Sequence, residues 1–452
     1  MKQPTNHTTP QRALFATRLG VIAVTVGSAV GLGNIWRFPY EAGTNGGGAF
    51  ILCYLFFIFI IGIPVICAEF VMGRETRSGI LGAYRKLSGG RRYDLAGYSG
   101  VLAALLILSF YSVVAGWTMA YTVESATGAL HAVAANERHA AFAQFITGSS
   151  PVAWAVAFLL INAVVLLSGV QKGIERISNI LMPLLFVILL AFCINSFTMP
   201  QCAEGLRFLF NPDFSAITPG VILSAMGQAF FSLSIGLGCL MTYASYFRDD
   251  TPLARTATTT ALLDTLVAVM AGVVIFPAVF SFGMAPAEGP TLVFEVLPNV
   301  FENLPMSSVW SAMFFFLLFL ASLTSTISMC EIIIAFLCDE WQMSRTRATL
   351  SAIGLGIVLA SICALSFGPL SDYTLFGLTA FNLFDFASSN VLLPLGGMTV
   401  SLYVGWKLNR ATLARQLSSG GRMSGALLWL LVVALRFVAP ACIAAVFVAG
   451  LL

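Results

Sequence analysis

Charge is scarce in this chain. Of its 452 residues only 10% are charged, while 58% are hydrophobic; an ordinary soluble domain carries about 25% charged residues. That excludes a water-soluble globule. Histidine is scarcer still. The three, His7, His131 and His139, fall outside the apolar runs, so neither a zinc-type cluster nor a catalytic triad can be assembled at membrane depth. Nine cysteines are scattered, mostly inside apolar runs, with no Cys-x-x-C pair. They read as buried thiols rather than a redox framework; Cys202 is the only one placed in an outer loop and has no obvious partner. Ten-residue alternation is missing as well, which excludes a membrane β-barrel. With no nucleophile–base set and no metal motif, an enzyme is not expected.

What the chain does have is long apolar runs. At about 20 residues per crossing they give eleven predicted helices, roughly at 14–43, 47–73, 95–125, 152–169, 177–197, 219–247, 255–284, 308–338, 348–367, 374–405 and 425–451. The predicted fold class is an all-α polytopic membrane protein. A polar N-terminus running directly into the first span reads as a chain without a cleavable signal peptide. With that end inside, all but four of the 23 Lys and Arg fall in cytoplasmic segments, the exceptions being Arg37, Arg138, Arg207 and Arg436. The positive-inside rule then fixes a cytoplasmic N-terminus, and eleven spans put the C-terminus outside the inner (plasma) membrane. The organisation expected is a tail (1–13), two five-span groups (14–197 and 219–405) and a last span (425–451).

The first span contains Gly27-Ser28-Ala29-Val30-Gly31-Leu32-Gly33-Asn34-Ile35-Trp36-Arg37-Phe38-Pro39. Glycines at 27, 31 and 33 are poor helix material, and an interrupted helix in lipid leaves backbone groups that need other partners. Small residues for close helix packing are one reading. The other is a pair of half-helices whose loosened main chain forms part of a site. A similar string, Ser234-Ile235-Gly236-Leu237-Gly238, returns in span six. Spans one and six open the two groups of five. Interrupted helices in corresponding positions point to an inverted-repeat transporter with its site at the midplane.

Other polar residues stand out against the apolar background. Glu69 in span two is either functional or a hydrogen-bond acceptor for loosened backbone. Arg37 ends the second half-helix of span one, where a charge is costly unless paired or wet. Gly173 and Pro183 bracket the start of span five, permitting either a kink or local unwinding. Asp264 lies in span seven, Asp385 in the outer half of span ten, and Ser322-Leu323-Thr324-Ser325-Thr326 in span eight. Those hydroxyls are denser than bonding back to their own helix requires. Residues 126–151 read as a polar outer loop, 285–307 as a folded outer loop able to act as a lid, and 407–424 as a basic cytoplasmic linker.

A hard alkali cation takes oxygen ligands. Unwound backbone supplies carbonyls, Asn34, Ser232, Thr324 and Ser325 supply side-chain oxygens, and Asp264 supplies a full negative charge. Free N–H groups at a half-helix start suit a carboxylate. The pattern therefore accommodates an amino acid and its driving ions together, without naming either.

The first-span string, followed by Asn45-Gly46-Gly47-Gly48-Ala49-Phe50, resembles the neurotransmitter:sodium symporter family, and its bacterial hydrophobic amino-acid transporters in particular. The likeness continues through Lys172-Gly173-Ile174-Glu175-Arg176, Tyr243-Ala244-Ser245-Tyr246 and Leu323-Thr324-Ser325, covering spans one to ten. It implies two sodium sites: one from the Ala29 carbonyl, Asn34, Ser232 and Asp264, and one from the Gly27, Val30 and Ala321 carbonyls with Thr324 and Ser325. It implies substrate contacts at Ala29, Gly31, Gly33, Tyr111, Phe231, Ser234 and Ser325, with Ser232 shared between ion and substrate and Ile107, Leu237 and Met329 lining the side-chain pocket. Arg37 with Asp385 would form an outer gate, Arg12 with Asp339 an inner one. Gly173 to Pro183 matches the element that unwinds on inward opening. Two departures matter. The twelfth span of many relatives is missing, as in several bacterial members, and Asp264 stands where chloride-dependent relatives have a neutral residue. The resemblance thus implies chloride-independent, sodium-coupled symport of hydrophobic L-amino acids, aromatic ones included. The alternative is a sodium-independent or proton-coupled permease of related fold.

Overall fold

The structure is a computed structural model that describes residues 13–134, 137–283, 292–295, 297–302, 306–418 and 423–451. Every regular element among them is helical. Eight helices are single apolar rods: Gly48–Thr76, Asp94–Thr127, Ser150–Leu167, Val170–Ser196, Leu253–Ser281, Ser307–Trp341, Arg345–Leu365 and Gly425–Leu451. A ninth, Ala380–Lys407, turns through 110° into the short helix Arg410–Leu417. Two spans are broken. Arg18–Ala29 meets Gly33–Thr44 at 56°, and Pro219–Ser232 is separated from Cys239–Ala244 by an unwound stretch. Together these are the eleven spans expected from the apolar runs. In chain order the broken helices are spans one and six. Five crossings per group is an odd number, so the second group enters from the opposite side and the two form an inverted repeat.

Helix starts follow local chemistry. Spans one, six, nine and eleven begin after Thr17, Thr218, Ser344 and Ser424, whose side-chain oxygens accept a first-turn N–H, satisfying donors that the helix itself cannot. Burial grades across the bundle. The most apolar stretch of span eight is 83% buried and that of span eleven 28%, so span eight is the central post and span eleven faces lipid. Helices in lipid associate by close packing rather than by hydrophobic expulsion. Gly73 of span two illustrates this: a methyl there would lie 1.9 Å from the Met241 carbonyl oxygen of span six.

Several connecting segments carry more structure than their sequence implied. The polar loop 126–151 contains the helix Arg138–Thr147, and Arg138 pairs with Glu302, at the end of the short helix Leu297–Glu302. Residues 284–291 of that second loop lie outside the described residues. The basic linker is helical over Arg410–Leu417 and tied to span two through Arg415 and Glu75 at 2.6 Å. The start of span five is wound: a wide turn over Val170–Glu175 leads into Arg176–Ser196, which continues through Pro183.

Candidate functional site

The break in span one is a change of backbone direction at Val30, where ψ is 117°. The groups it frees find side chains from elsewhere. Ser325 Oγ donates to the Val30 carbonyl at 3.0 Å, Leu32 N–H donates to the Tyr111 hydroxyl at 2.9 Å, and Gly31 N–H donates to Asn34 Oδ1 at 3.0 Å. Gly31 has to be small: a methyl would sit 2.7 Å from Ser325 Oγ and 2.8 Å from the Tyr111 hydroxyl.

The break in span six is built differently. Ser234, Gly236 and Gly238 have φ of 51°, 87° and 81°, a region costly for most residues and open to glycine. Two freed N–H groups, of Gly236 and Met241, donate to the two Glu69 oxygens at 2.8 and 3.3 Å. Glu69 is fully buried, so of the two readings of this carboxylate the backbone acceptor is the one the geometry bears out. Span ten closes the other side. A methyl on Gly236 would lie 2.4 Å from both Gly397 N and the Leu393 carbonyl oxygen. The two breaks also meet each other, Ser234 Oγ donating to the Ser28 carbonyl at 3.4 Å.

Asp264 joins them from span seven and is fully buried within the protein. Asn34 Nδ2 donates to Asp264 Oδ1 at 2.8 Å and to Ser232 Oγ at 3.0 Å; Ser232 in turn donates to Asp264 Oδ2 at 2.7 Å. A second group of oxygens lies on the far side of span one. Ser325 contacts the Val30 carbonyl, Thr324 Oγ1 donates to the Ala321 carbonyl at 3.1 Å, and the Thr324 Cβ lies 3.2 Å from where a Gly27 methyl would stand. Of the dense hydroxyls in span eight, Ser322, Thr324 and Thr326 bond back to their own helix, and Ser325 reaches across to the first break. No group of three or more His, Cys, Asp or Glu able to hold a metal occurs among the described residues. Both clusters are instead neutral oxygens, with one carboxylate between them, the ligand chemistry of a hard monovalent cation rather than of zinc.

Between the breaks lies a cavity of about 50 Å³. Its polar lining comes from Ala29, Gly31, Gly33 and Asn34 of span one with Tyr111, Ser232, Ser234 and Ser325. Its apolar lining comes from Ile107, Phe231, Leu237 and Met329. The sequence-based substrate residues are thus brought to one place. Two further lining residues, Phe110 and Leu393, had not been singled out. Phe110 could have been suspected as the neighbour of Tyr111; Leu393 is one leucine in an apolar span and gives no signal.

In this conformation Arg37 and Asp385 each have a different neighbour. Arg37 faces Glu41 at 3.6 Å and lies over the Phe231 ring at 4.3 Å from its centroid, while Asp385 accepts from Ser389 Oγ at 2.9 Å. Both contacts lie within one helix at a spacing of four residues, and Glu41 also accepts from Ser224 Oγ of span six at 2.5 Å. In this state Arg37 is thus paired with Glu41. Asp339 accepts from Gly79 N–H at 2.9 Å; Arg12 lies outside the described residues. The same end of the bundle is sealed by a residue the sequence did not flag. Phe15 is buried edge-on against the rings of Tyr243 and Tyr246 and beside Phe247, its N–H donating to the Tyr246 carbonyl at 2.9 Å. Below it Tyr246 donates to Glu331 at 2.6 Å, and Arg345 donates to both Glu331 oxygens at 2.9 and 2.7 Å. Beside it Glu175 accepts from Ala16 N–H at 2.8 Å, and from Thr17 N–H and Oγ1 at 3.0 and 2.8 Å.

Known proteins resemble the chain along nearly its whole length. A model described as the sodium:neurotransmitter symporter family matches residues 12–144 and 137–452. A Bacillus subtilis protein named as the uncharacterized sodium-dependent transporter YhdH is 40% identical over 435 residues, covering 96% of each chain. A Haemophilus influenzae protein, also named as an uncharacterized sodium-dependent transporter, is 36% identical and covers 98% of each. Among solved structures, the crystal structure of MhsT in complex with L-phenylalanine superposes with a TM-score of 0.89 at 43% identity, covering 97% of this chain and 100% of the other.

Proposed function

The chain belongs to the sodium:neurotransmitter symporter family, and from that premise we propose that it is a symporter of hydrophobic L-amino acids, aromatic ones included, driven by sodium and indifferent to chloride. One observation carries the reading: the buried Asp264–Asn34–Ser232 network adjoins a cavity lined by both polar and apolar residues. Such a lining offers partners to both the charged head and the side chain of a zwitterion with an apolar side chain. Its carboxylate belongs beside the Tyr111 hydroxyl and the loosened main chain of span one; its side chain belongs against Ile107, Phe231, Leu237 and Met329, with Phe110 and Leu393 completing that lining.

Sodium enters as cargo in this reading, at two places. Asp264, Asn34, Ser232 and the Ala29 carbonyl supply one oxygen set; Thr324, Ser325 and the Gly27, Val30 and Ala321 carbonyls supply the other. Several of these oxygens are now occupied with each other, Ser325 with Val30 and Thr324 with Ala321. An arriving cation replaces the Ser325–Val30 bond that ties the first break to span eight, which links ion binding to the conformation of span one. Such a tie is what coupling requires, since a ligand shifts an equilibrium only by its difference in affinity for the two states. Because Asp264 brings its own negative charge to the first oxygen set, no chloride is needed to balance the cation. The N-terminus is assigned to the cytoplasm on the Lys and Arg distribution, so the end plugged by Phe15 is the inner one and the end of the parted Arg37 and Asp385 the outer one.

Support comes from the crystal structure of MhsT, whose bound molecule is L-phenylalanine. The test is uptake of radiolabelled phenylalanine, tryptophan and leucine into proteoliposomes, with and without an inward sodium gradient, and with gluconate replacing chloride. We expect accumulation that collapses without sodium and is unchanged in gluconate. Accumulation independent of sodium points to the permease instead, and a large loss in gluconate removes the charge-balancing role from Asp264.

A further inference from the structure

A second cavity, of about 320 Å³, lies away from the central site between the first half-helix of span one and the start of span seven. Its charged residues are Arg18 and Arg255; Thr251, Thr256 and Thr259 add hydroxyls, and Val21, Ile22 and Pro252 add an apolar wall. No carboxylate lines it. Arg18 reaches Asp250 at 3.5 Å, but that pair is exposed and Asp250 is shared with Arg248 at 3.2 Å. Arg255 has no ion-pair or hydrogen-bond partner among the described residues.

Span seven begins here without a side-chain cap and with no acidic residue in its first turn. Arg255 stands in that turn instead, where the helix end is already positive. Two exposed arginines and an uncapped helix start around one cavity make a site of net positive potential, since Asp250 is shared between Arg18 and Arg248. A phosphate compensates it. The walls indicate which kind of phosphate. Arg255, Thr259, Leu262 and Leu266 follow each other at spacings of three and four, so they share one face of span seven, and Leu262 and Leu266 are each 45% exposed. Leu19, 69% exposed, flanks Arg18 on span one. The cavity therefore continues into an apolar track along the bundle surface, with its cations at the end of the spans and its leucines in the hydrocarbon. Basic pockets between helices at the cytoplasmic face take anionic headgroups in this manner.

We infer that this cavity binds the phosphate of an anionic phospholipid, with an acyl chain lying along Leu262 and Leu266, and that the lipid bridges the first half-helix of span one to span seven. The inference needs the membrane topology and none of the substrate assignment.

The full chain, purified and exchanged into nanodiscs of phosphatidylcholine alone or mixed with phosphatidylglycerol, provides the test. Retained phosphatidylglycerol is counted by native mass spectrometry, and thermal stability is followed in parallel. A basic residue near an anionic surface contributes about fivefold in affinity, so removing both arginines is expected to weaken retention roughly thirty-fold. The Arg18→Gln/Arg255→Gln variant should lose the bound lipid and the stabilisation it confers, whereas Arg255→Lys should keep most of both. Lys407→Gln, at the exposed end of span ten, should change neither. Equal loss in Lys407→Gln, or full retention in the double variant, overturns the site. Inorganic phosphate that stabilises the protein in phosphatidylcholine as strongly as phosphatidylglycerol does overturns the lipid and leaves a free-anion site. Should the double variant not fold, Arg255→Gln alone is expected to show the roughly fivefold loss, and its absence is equally decisive.

Discussion

The two breaks look alike in sequence and are held open by opposite means. In span one the freed groups meet neutral side chains: the hydroxyls of Ser325 and Tyr111 and the amide of Asn34. Each of those can turn toward another partner. In span six the freed N–H groups meet the buried carboxylate of Glu69, and the main chain is wedged against Leu393 and Gly397. Nothing there can turn aside without leaving a charge or a donor unsatisfied away from water. One interruption is thus suited to exchanging ligands, the other to staying as it is. Two similar glycine strings are therefore expected to act as a moving part and as a fixed frame.

The sharpest way to break this comparison is at Glu69. Glu69→Ala orphans two buried N–H groups, each costing about 1–3 kcal/mol, so we expect little monodisperse protein by size-exclusion chromatography and a melting temperature well below wild type; a variant as stable as wild type removes Glu69 from the frame. Next in size comes a pair of glycines. Gly236→Ala forces a methyl to 2.4 Å from two backbone atoms at φ +87°, a position that costs a non-glycine residue about 1–3 kcal/mol before any clash. Gly31→Ala meets only two hydroxyls. The first should lower the melting temperature; the second should leave it nearly unchanged while depressing uptake. Equal effects on stability erase the distinction. Asp264→Asn keeps the shape of the network and removes its charge. It should leave folding intact and raise the sodium concentration for half-maximal uptake about tenfold, near 1.4 kcal/mol. Unchanged sodium dependence detaches Asp264 from the ion.

How much of this was legible beforehand differs by residue. Gly31, Gly33, Gly236 and Gly238 declared themselves because glycine in a membrane helix needs a reason, and Asp264 because charge does. Glu69 was equally visible, but its partners are 167 and 172 positions away, so the choice between ligand and frame waited for the fold. Phe15 and Leu393 are ordinary apolar residues whose significance is entirely positional. Arg37 was read toward Asp385 through a family resemblance; its contact in this state, Glu41, lies four residues along its own helix.

The Glu175 clamp has a mechanical corollary. Its carboxylate, from the wide turn that opens span five, grips Ala16 and Thr17 immediately before span one begins, and Gly20 leaves it room, since a methyl there would overlap the acid at 2.1 Å. Uncoiling span five from Gly173 towards Pro183 would carry that grip away with it. The grip on the first half-helix and that stretch of span five would then move as one component.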